Sequence, residues 1–455
     1  MKQGKDVESV RPGWFFKLLN TYIRFFLSRF YFRKVYSVAA ENIPQHCPVM
    51  VISNHQNSLC DPLCLLLDIP TRKERKFRVI TRGSAFNNKM INRFLRWLGL
   101  LPAYRLAVDG EEALENNTGT FEAVSEELLH DGTVIIFPEG KHQNKHWLGE
   151  FSSGYLRMLF DAAAKSNYEK ELFILPTCNH YSDYFAMRGE MLIAYGTPIS
   201  LKPYYELYKT KPRTAQRQVN ALARQRVSEM MLNITDLKDY DSIDFIRNTY
   251  GRNFARKNSL NPDVLPEKLE SDKKLVACLE SLKVENGELV GHLYEDVRKL
   301  EADIRKMKIE ETDFDKKCSF LKILCKGLLF VLLFPLFLFS YVPNLLNIYV
   351  PHIINRKVKD PMMHSAVRIL VTTLLTVPVT CVLILVLLWV FTGSLVVMLL
   401  GVALMPLQAL FFISYSNAWR RWRACLKFYL LKRQGAIDGL AERRNHIYEI
   451  LDTLL

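Results

Sequence analysis

Between positions 369 and 415 the chain carries no charged residue. A bilayer crossing takes ~20 apolar residues, so this stretch is long enough for two, and Thr392, Gly393 and Ser394 near its middle offer a turn. The plain reading is a hairpin of two spans. Residues 327–346 are also apolar, but Pro335 and Pro343 interrupt them. Basic residues flank these segments: Lys322 and Lys326, then Arg356, Lys357 and Lys359, then Arg420, Arg421, Arg423 and Lys427. Three crossings would leave at least one basic cluster outside, against the positive-inside tendency. The expectation is therefore two crossings at 369–415 plus a re-entrant or interfacial segment at 327–346.

The remainder of the 455 residues is charged and mixed, and the whole carries a formal net charge of +14. Such a balance calls for an anionic partner. Many of the basic residues sit beside apolar or aromatic segments and no nucleic-acid motif occurs, so anionic lipid in a bilayer is expected and nucleic acid is not. Residues 1–34 show the pattern clearly, with eight bases (Lys2, Lys5, Arg11, Lys17, Arg24, Arg29, Arg33, Lys34) against Asp6 and Glu8. Within them, positions 14–32 are dense in aromatics, too charged to span but suited to a helix lying in the headgroup region. Packing of that helix on a core is the alternative, and the two are compatible. Lys17, Arg24, Arg29 and Arg33 also break any signal-peptide pattern. The nine cysteines have no spacing suited to zinc, and no metal is expected; reduced thiols in a cytosol-facing membrane protein fit their scatter.

From about residue 35 to 200 the pattern alternates between strand and helix. Apolar runs at 49–53, 77–81, 133–137, 172–176 and 191–195 read as strands, and 88–98, 121–129 and 155–164 as helices. Alternation of this kind predicts an α/β domain with a largely parallel sheet flanked by helices. Residues 204–312 read as charged helices broken near Pro262 and Pro266. The predicted organisation is a membrane-associating helix at 1–34, the α/β domain at 35–203, and a charged helical region at 204–315. Membrane segments follow at 316–415, and a basic helical tail at 416–455.

Residues able to do chemistry gather at predicted strand ends, where parallel sheets line their ligand crevices. The first strand runs into Asn54 and His55, with Asp61-Pro62 shortly after. Histidine is well tuned to take a proton near neutral pH, and a carboxylate on its other nitrogen would fix the tautomer and stabilise the imidazolium. Asp before Pro is also a good helix start, with Asp as N-cap, so spacing alone leaves Asp61 open between the two roles. A later strand ends in Phe137-Pro138-Glu139-Gly140, placing a second carboxylate at a strand end. Gly99 to Arg105 offers an arginine for a phosphate, although taken alone it reads equally as a surface arginine after a turn. Ile174-Leu175-Pro176 reads as a buried strand end that could line an acyl groove or simply pack the core.

Taken in order, these blocks resemble the glycerolipid acyltransferase family, the glycerol-3-phosphate and 1-acylglycerol-3-phosphate (lysophosphatidate) acyltransferases, over roughly residues 35–200. Five residues separate His55 from Asp61 where the common pattern has four, which looks like the branch of fungal glycerol-3-phosphate/dihydroxyacetone-phosphate acyltransferases. Lys141 and His142 also depart from the usual residues after the Glu-Gly pair. The resemblance implies that His55 deprotonates a glycerol hydroxyl for attack on an acyl-CoA or acyl carrier protein thioester, with no cofactor, and that Asp61 orients His55. It implies that Arg105, Glu139 and Gly140 hold the glycerol phosphate and that Pro176 helps shape the donor site. An integral membrane enzyme of phospholipid biosynthesis, its site facing the cytoplasm, is the resulting expectation. The competing reading is a non-catalytic lipid-binding protein that keeps the fold.

Overall fold

The structure is a computed structural model that describes residues 12–69, 77–104, 117–142, 145–316 and 318–455. The chain divides into two compact units, one comprising Met1–Asn233 with Asp360–Ala366, the other Ile234–Lys359 with Val367–Leu455.

The first unit is built on one sheet. In chain order its elements are α1 (Trp14–Phe26), β1 (Lys34–Val38), β2 (Val49–Ser53), α2 (Cys60–Leu65), β3 (Arg78–Arg82), α3 (Lys89–Trp97) and β4 (Leu100–Ala103). There follow α4 (Asn117–Leu129), β5 (Thr133–Ile136), α5 (Gly154–Lys165), β6 (Phe173–Tyr181), β7 (Glu190–Tyr195), β8 (Ile199–Ser200) and α6 (Pro212–Met230). The strand order is β1-β7-β6-β2-β5-β3-β4, with β8 beside β6. Neighbours pair in parallel except β6 with β7 and β6 with β8. The largely parallel sheet expected from the alternating pattern is thus present.

Every residue of β2 is buried, as are nearly all of β6 and all of β7, which is why these strands read as continuous apolar runs. β1 and β4, at the sheet edges, have partly open faces and no such run; they are absent from the expected strands for that reason. The first unit also extends past residue 203. Helix α6 belongs to it because Asn220 accepts a bond from the Tyr155 hydroxyl at 2.9 Å and Arg224 donates to the carbonyls of Leu148 and Gly149 at 3.0 and 3.1 Å.

Helix α1 buries Phe16, Asn20 and Phe26 against the unit and leaves Trp14, Phe15, Leu18 and Phe25 exposed. Packing on the core and an outward aromatic face therefore coexist.

The second unit is helical. It contains α7 (Tyr240–Thr249), α8 (Leu265–Glu285), α9 (Gly287–Met307), α10 (Phe320–Tyr341), α11 (Val377–Thr392), α12 (Leu395–Arg433) and α13 (Asp438–Leu454), with shorter helices between. Three helical stretches, Phe320–Asn355, Met363–Thr392 and Leu395–Arg433, are long and apolar enough to cross a membrane. Gly393, with φ of 60°, ends α11 in the left-handed region, which glycine adopts without steric cost. The Ser394 side chain then caps α12 by accepting from the Val397 amide. Cys318 and Cys425 form a disulfide, which departs from the expectation of reduced thiols. The pair lies 107 positions apart, a separation that residue spacing could not reveal.

Candidate active site

The site assembles where β2 and β5 end beside the middle of β6. Parallel registry sets Ile52 beside both Ile136 and Pro176, and Ser53 beside Thr177. The loop leaving β2 is fixed by a reciprocal clamp: Asn54 donates to the Asn179 carbonyl at 3.0 Å and accepts from its amide at 2.8 Å. The next residue is His55.

His55 Nδ1 lies 2.8 Å from Asp61 Oδ2. The same oxygen accepts the amides of Gln56 and Asn57, each at 2.9 Å, while Oδ1 accepts the Tyr181 hydroxyl at 2.7 Å. Asp61 is fully buried; the His55 side chain keeps 18% of its surface open. The competition between helix cap and brace resolves in these contacts. Leu59, not Asp61, precedes α2, no side chain caps that helix, and the Asp61 carboxylate turns back onto the loop before it. Ser58 takes a positive φ of 47°, and that left-handed residue lets the chain fold back across the five-residue interval.

The imidazole is held on its face as well. The Phe137 ring stacks on it with centroids 4.5 Å apart. With Nδ1 committed to Asp61, Nε2 has no bond among the described residues and is the nitrogen available to take a proton. Burial, reinforced by the Asp61 charge, pushes the Tyr181 hydroxyl well above its ordinary range, so it stays a neutral donor to the carboxylate.

Glu139 sits behind His55. Its Oε1 accepts the His55 amide at 2.8 Å and its Oε2 the Gly149 amide at 2.9 Å. Burial raises its carboxyl above the ordinary range, against the pull of those two amides. Each oxygen is thus engaged with main chain, and the side chain positions the His55 backbone. Gly140 turns the chain with φ of 64°, its amide bonding the Phe137 carbonyl at 3.0 Å. Pro176 is buried inside β6 and forms part of the core. Arg105 lies outside the described residues. Among the described residues no group of His, Cys, Asp and Glu could hold a metal ion.

Sequence reasoning missed Tyr181, the Asn54–Asn179 clamp and Tyr184, whose hydroxyl donates to Gln56 at 2.8 Å. Strand alternation carries no sign of them, because a tyrosine or asparagine late in a buried strand is ordinary core.

Residues 34–179 match the family model described as Acyltransferase. Over 133 residues the chain is 29% identical to glycerol-3-phosphate O-acyltransferase 2 of Saccharomyces cerevisiae, a match covering 29% of this chain and 17% of the yeast protein's length. Among solved structures it is similar to the 1-acyl-sn-glycerophosphate (LPA) acyltransferase PlsC of Thermotoga maritima, with 17% identity and a TM-score of 0.30, covering 46% of this chain and 79% of that one. The matched residues 34–179 hold strands β1 to β5, most of β6, the His55–Asp61 pair and Glu139.

Proposed function

We propose that this chain transfers an acyl group from an acyl thioester, carried by coenzyme A or acyl carrier protein, to a hydroxyl of glycerol 3-phosphate or 1-acylglycerol 3-phosphate. The observation that carries the reading is His55, bound at Nδ1 by buried Asp61 and open at Nε2. The acceptor hydroxyl gives its proton to Nε2 as its oxygen attacks the thioester carbon. The tetrahedral intermediate then expels the thiolate, which recovers the proton from the imidazolium. Asp61 stabilises that imidazolium. Glu139 holds the His55 backbone and Tyr181 holds Asp61, so the base keeps its geometry through the cycle. The mechanism needs no cofactor.

A membrane setting suits this chemistry, because one acceptor and both products carry acyl chains. Three apolar helical stretches support integral insertion. The catalytic unit adds a surface of its own. α3 leaves Met90, Ile91 and Phe94 exposed, with Lys89, Arg93 and Arg96 on the same helix. Trp97 joins it to α1 through rings 5.7 Å from Phe15 and 5.8 Å from Phe16. An aromatic and basic face of this kind fits the interface of an anionic leaflet.

The test is acyl transfer by purified full-length protein with each acceptor, wild type beside His55→Ala. Turnover lost on the order of 10²–10⁴-fold with an unchanged melting temperature is the expected result. No turnover by wild type with any glycerolipid acceptor would sink the enzyme reading and leave a lipid-binding role.

A further inference from the structure

The segment Asp360–Ala366 leads into the second apolar stretch and includes its first turn, yet it folds with the catalytic unit. It is anchored there: Met362, Ser365 and Ala366 are buried, and the Ser365 hydroxyl donates to the Tyr184 carbonyl at 2.7 Å. That carbonyl also accepts from Asn57, two residues from His55, at 3.1 Å. At the other end of the segment, Asp360 Oδ2 lies 2.5 Å from His142 Nε2, while its Oδ1 accepts the Met362 amide at 3.0 Å. Burial works against the Asp360 charge, but the bonds from His142 and Met362 keep its carboxyl below the ordinary range.

His142 faces the catalytic histidine. The two rings are 5.5 Å apart between centroids and nearly perpendicular, at 82°. Two histidine–carboxylate pairs therefore meet at one place, His55 with Asp61 and His142 with Asp360. His142 Nδ1 has no bond among the described residues. A hydroxyl that loses its proton to His55 Nε2 must lie within ~3 Å of it, and a phosphate two or three carbons from such a hydroxyl falls within reach of a ring standing beside His55. An imidazolium can donate from both nitrogens at once, to the Asp360 carboxylate on one side and to a phosphate oxygen on the other.

We propose that the Asp360–Ala366 segment is part of the active site: Asp360 positions His142, and His142 binds the acceptor's phosphate through Nδ1. The proposal rests on the acyl-transfer reading above. It makes a residue supplied from between the apolar helices responsible for acceptor recognition.

The experiment uses full-length protein in phospholipid nanodiscs with a long-chain acyl-CoA as donor. Acceptors are glycerol 3-phosphate, lysophosphatidate and monoacylglycerol, the last lacking phosphate. Asp360→Asn and His142→Gln are each expected to raise KM for the phosphorylated acceptors about tenfold, the loss of one charge-assisted bond. kcat and the thioester KM stay within about twofold, monoacylglycerol kinetics do not change, and the double variant is no worse than either single one. Asp360→Glu restores the acceptor KM and guards against a folding defect. A wild-type acceptor KM in Asp360→Asn overturns the proposal. So does a fall in kcat alone, which would place His142 at the departing thiolate, or a joint loss of every constant with the melting temperature, which would make the segment a structural clasp. Absence of wild-type turnover is a different outcome, and condemns the acyl-transfer reading instead.

Discussion

At the scale of single residues, Asp61 is the most constrained group in the site. Both of its oxygens accept from donors: Oδ2 from His55, Gln56 and Asn57, Oδ1 from Tyr181. An asparagine there must point its amide nitrogen at one of those donors. Asp61→Asn is therefore expected to lower the melting temperature as well as reduce turnover by ~10²–10⁴-fold, whereas His55→Ala should affect turnover alone. Tyr181→Phe removes the buried bond to the charged Asp61, along with a longer contact to Cys64 Sγ at 3.6 Å, a loss of about 1.5–3 kcal/mol. Chemical denaturation should register that loss, with activity falling less than for His55→Ala. Glu139 gives a pH signature. Its folded pKa is raised by burial, so the folded state holds the proton to higher pH than the unfolded chain, whose value is ~4.3. Stability from this group then declines as pH rises from the unfolded value through the folded one and is level above it. Glu139→Gln should flatten the pH dependence of the melting temperature in that window; an unaltered slope would contradict it.

At the scale of elements, α3 shows how far sequence patterning reaches. Its existence follows from residues 88–98, and Asn88 caps it by accepting the amides of Met90 and Ile91 at 2.9 and 3.2 Å. That its apolar side faces outward was not legible, because an amphipathic stretch shows which residues share a face and not what covers that face. Met90→Ser with Phe94→Ser is expected to raise KM for membrane-borne lysophosphatidate several-fold while sparing water-soluble glycerol 3-phosphate. Equal effects on both acceptors would remove α3 from the bilayer surface. α6 illustrates the complementary case. It reads as a charged helix beyond the domain, yet Arg224 fixes the Leu148–Gly149 turn whose amide in turn holds Glu139. Its link to the site runs through main chain that no periodicity announces.

At the scale of the whole molecule, contacts within the second unit bear on how the apolar stretches lie in a bilayer. Residues before the first stretch touch the basic end of the last one and the helix after it. Lys427 donates to the Met307 and Lys308 carbonyls at 2.8 and 3.0 Å, Arg443 pairs with Asp303 at 2.8 Å, and Arg444 with Asp315 at 2.7 Å. If these stretches insert in a bilayer, such contacts call for both ends on one side and an even number of complete crossings. α10 contains Pro335 and leads through a short turn into a second helix, Leu345–Asn355. We propose a re-entrant first segment followed by the α11–α12 hairpin, which would set all the basic clusters on one side. α12 is 39 residues long, about 58 Å at 1.5 Å per residue, so its basic end projects beyond the ~30 Å hydrocarbon core. In oriented vesicles, an impermeant thiol reagent should reach native Cys278 and cysteines placed at Lys357 and Gln434 from one side, and one at Gly393 only from the other. Labelling of the Lys357 position from the Gly393 side would show a full first crossing.

The sequence by itself determined the alternating α/β domain, the apolar helices and the placing of His55 and Glu139 at strand ends. Those features follow from short-range order, since burial on both faces makes a strand continuously apolar and a lipid environment makes a span uncharged. Tertiary structure alone decided what each side chain does. It turned Asp61 from a possible helix cap into the brace of His55, set Glu139 against main chain, and brought in Tyr181 from 120 positions away and Asp360 to a histidine 218 positions earlier. Local propensity holds no information on pairings at such distances; they exist only once the sheet has closed and the chain has returned to it.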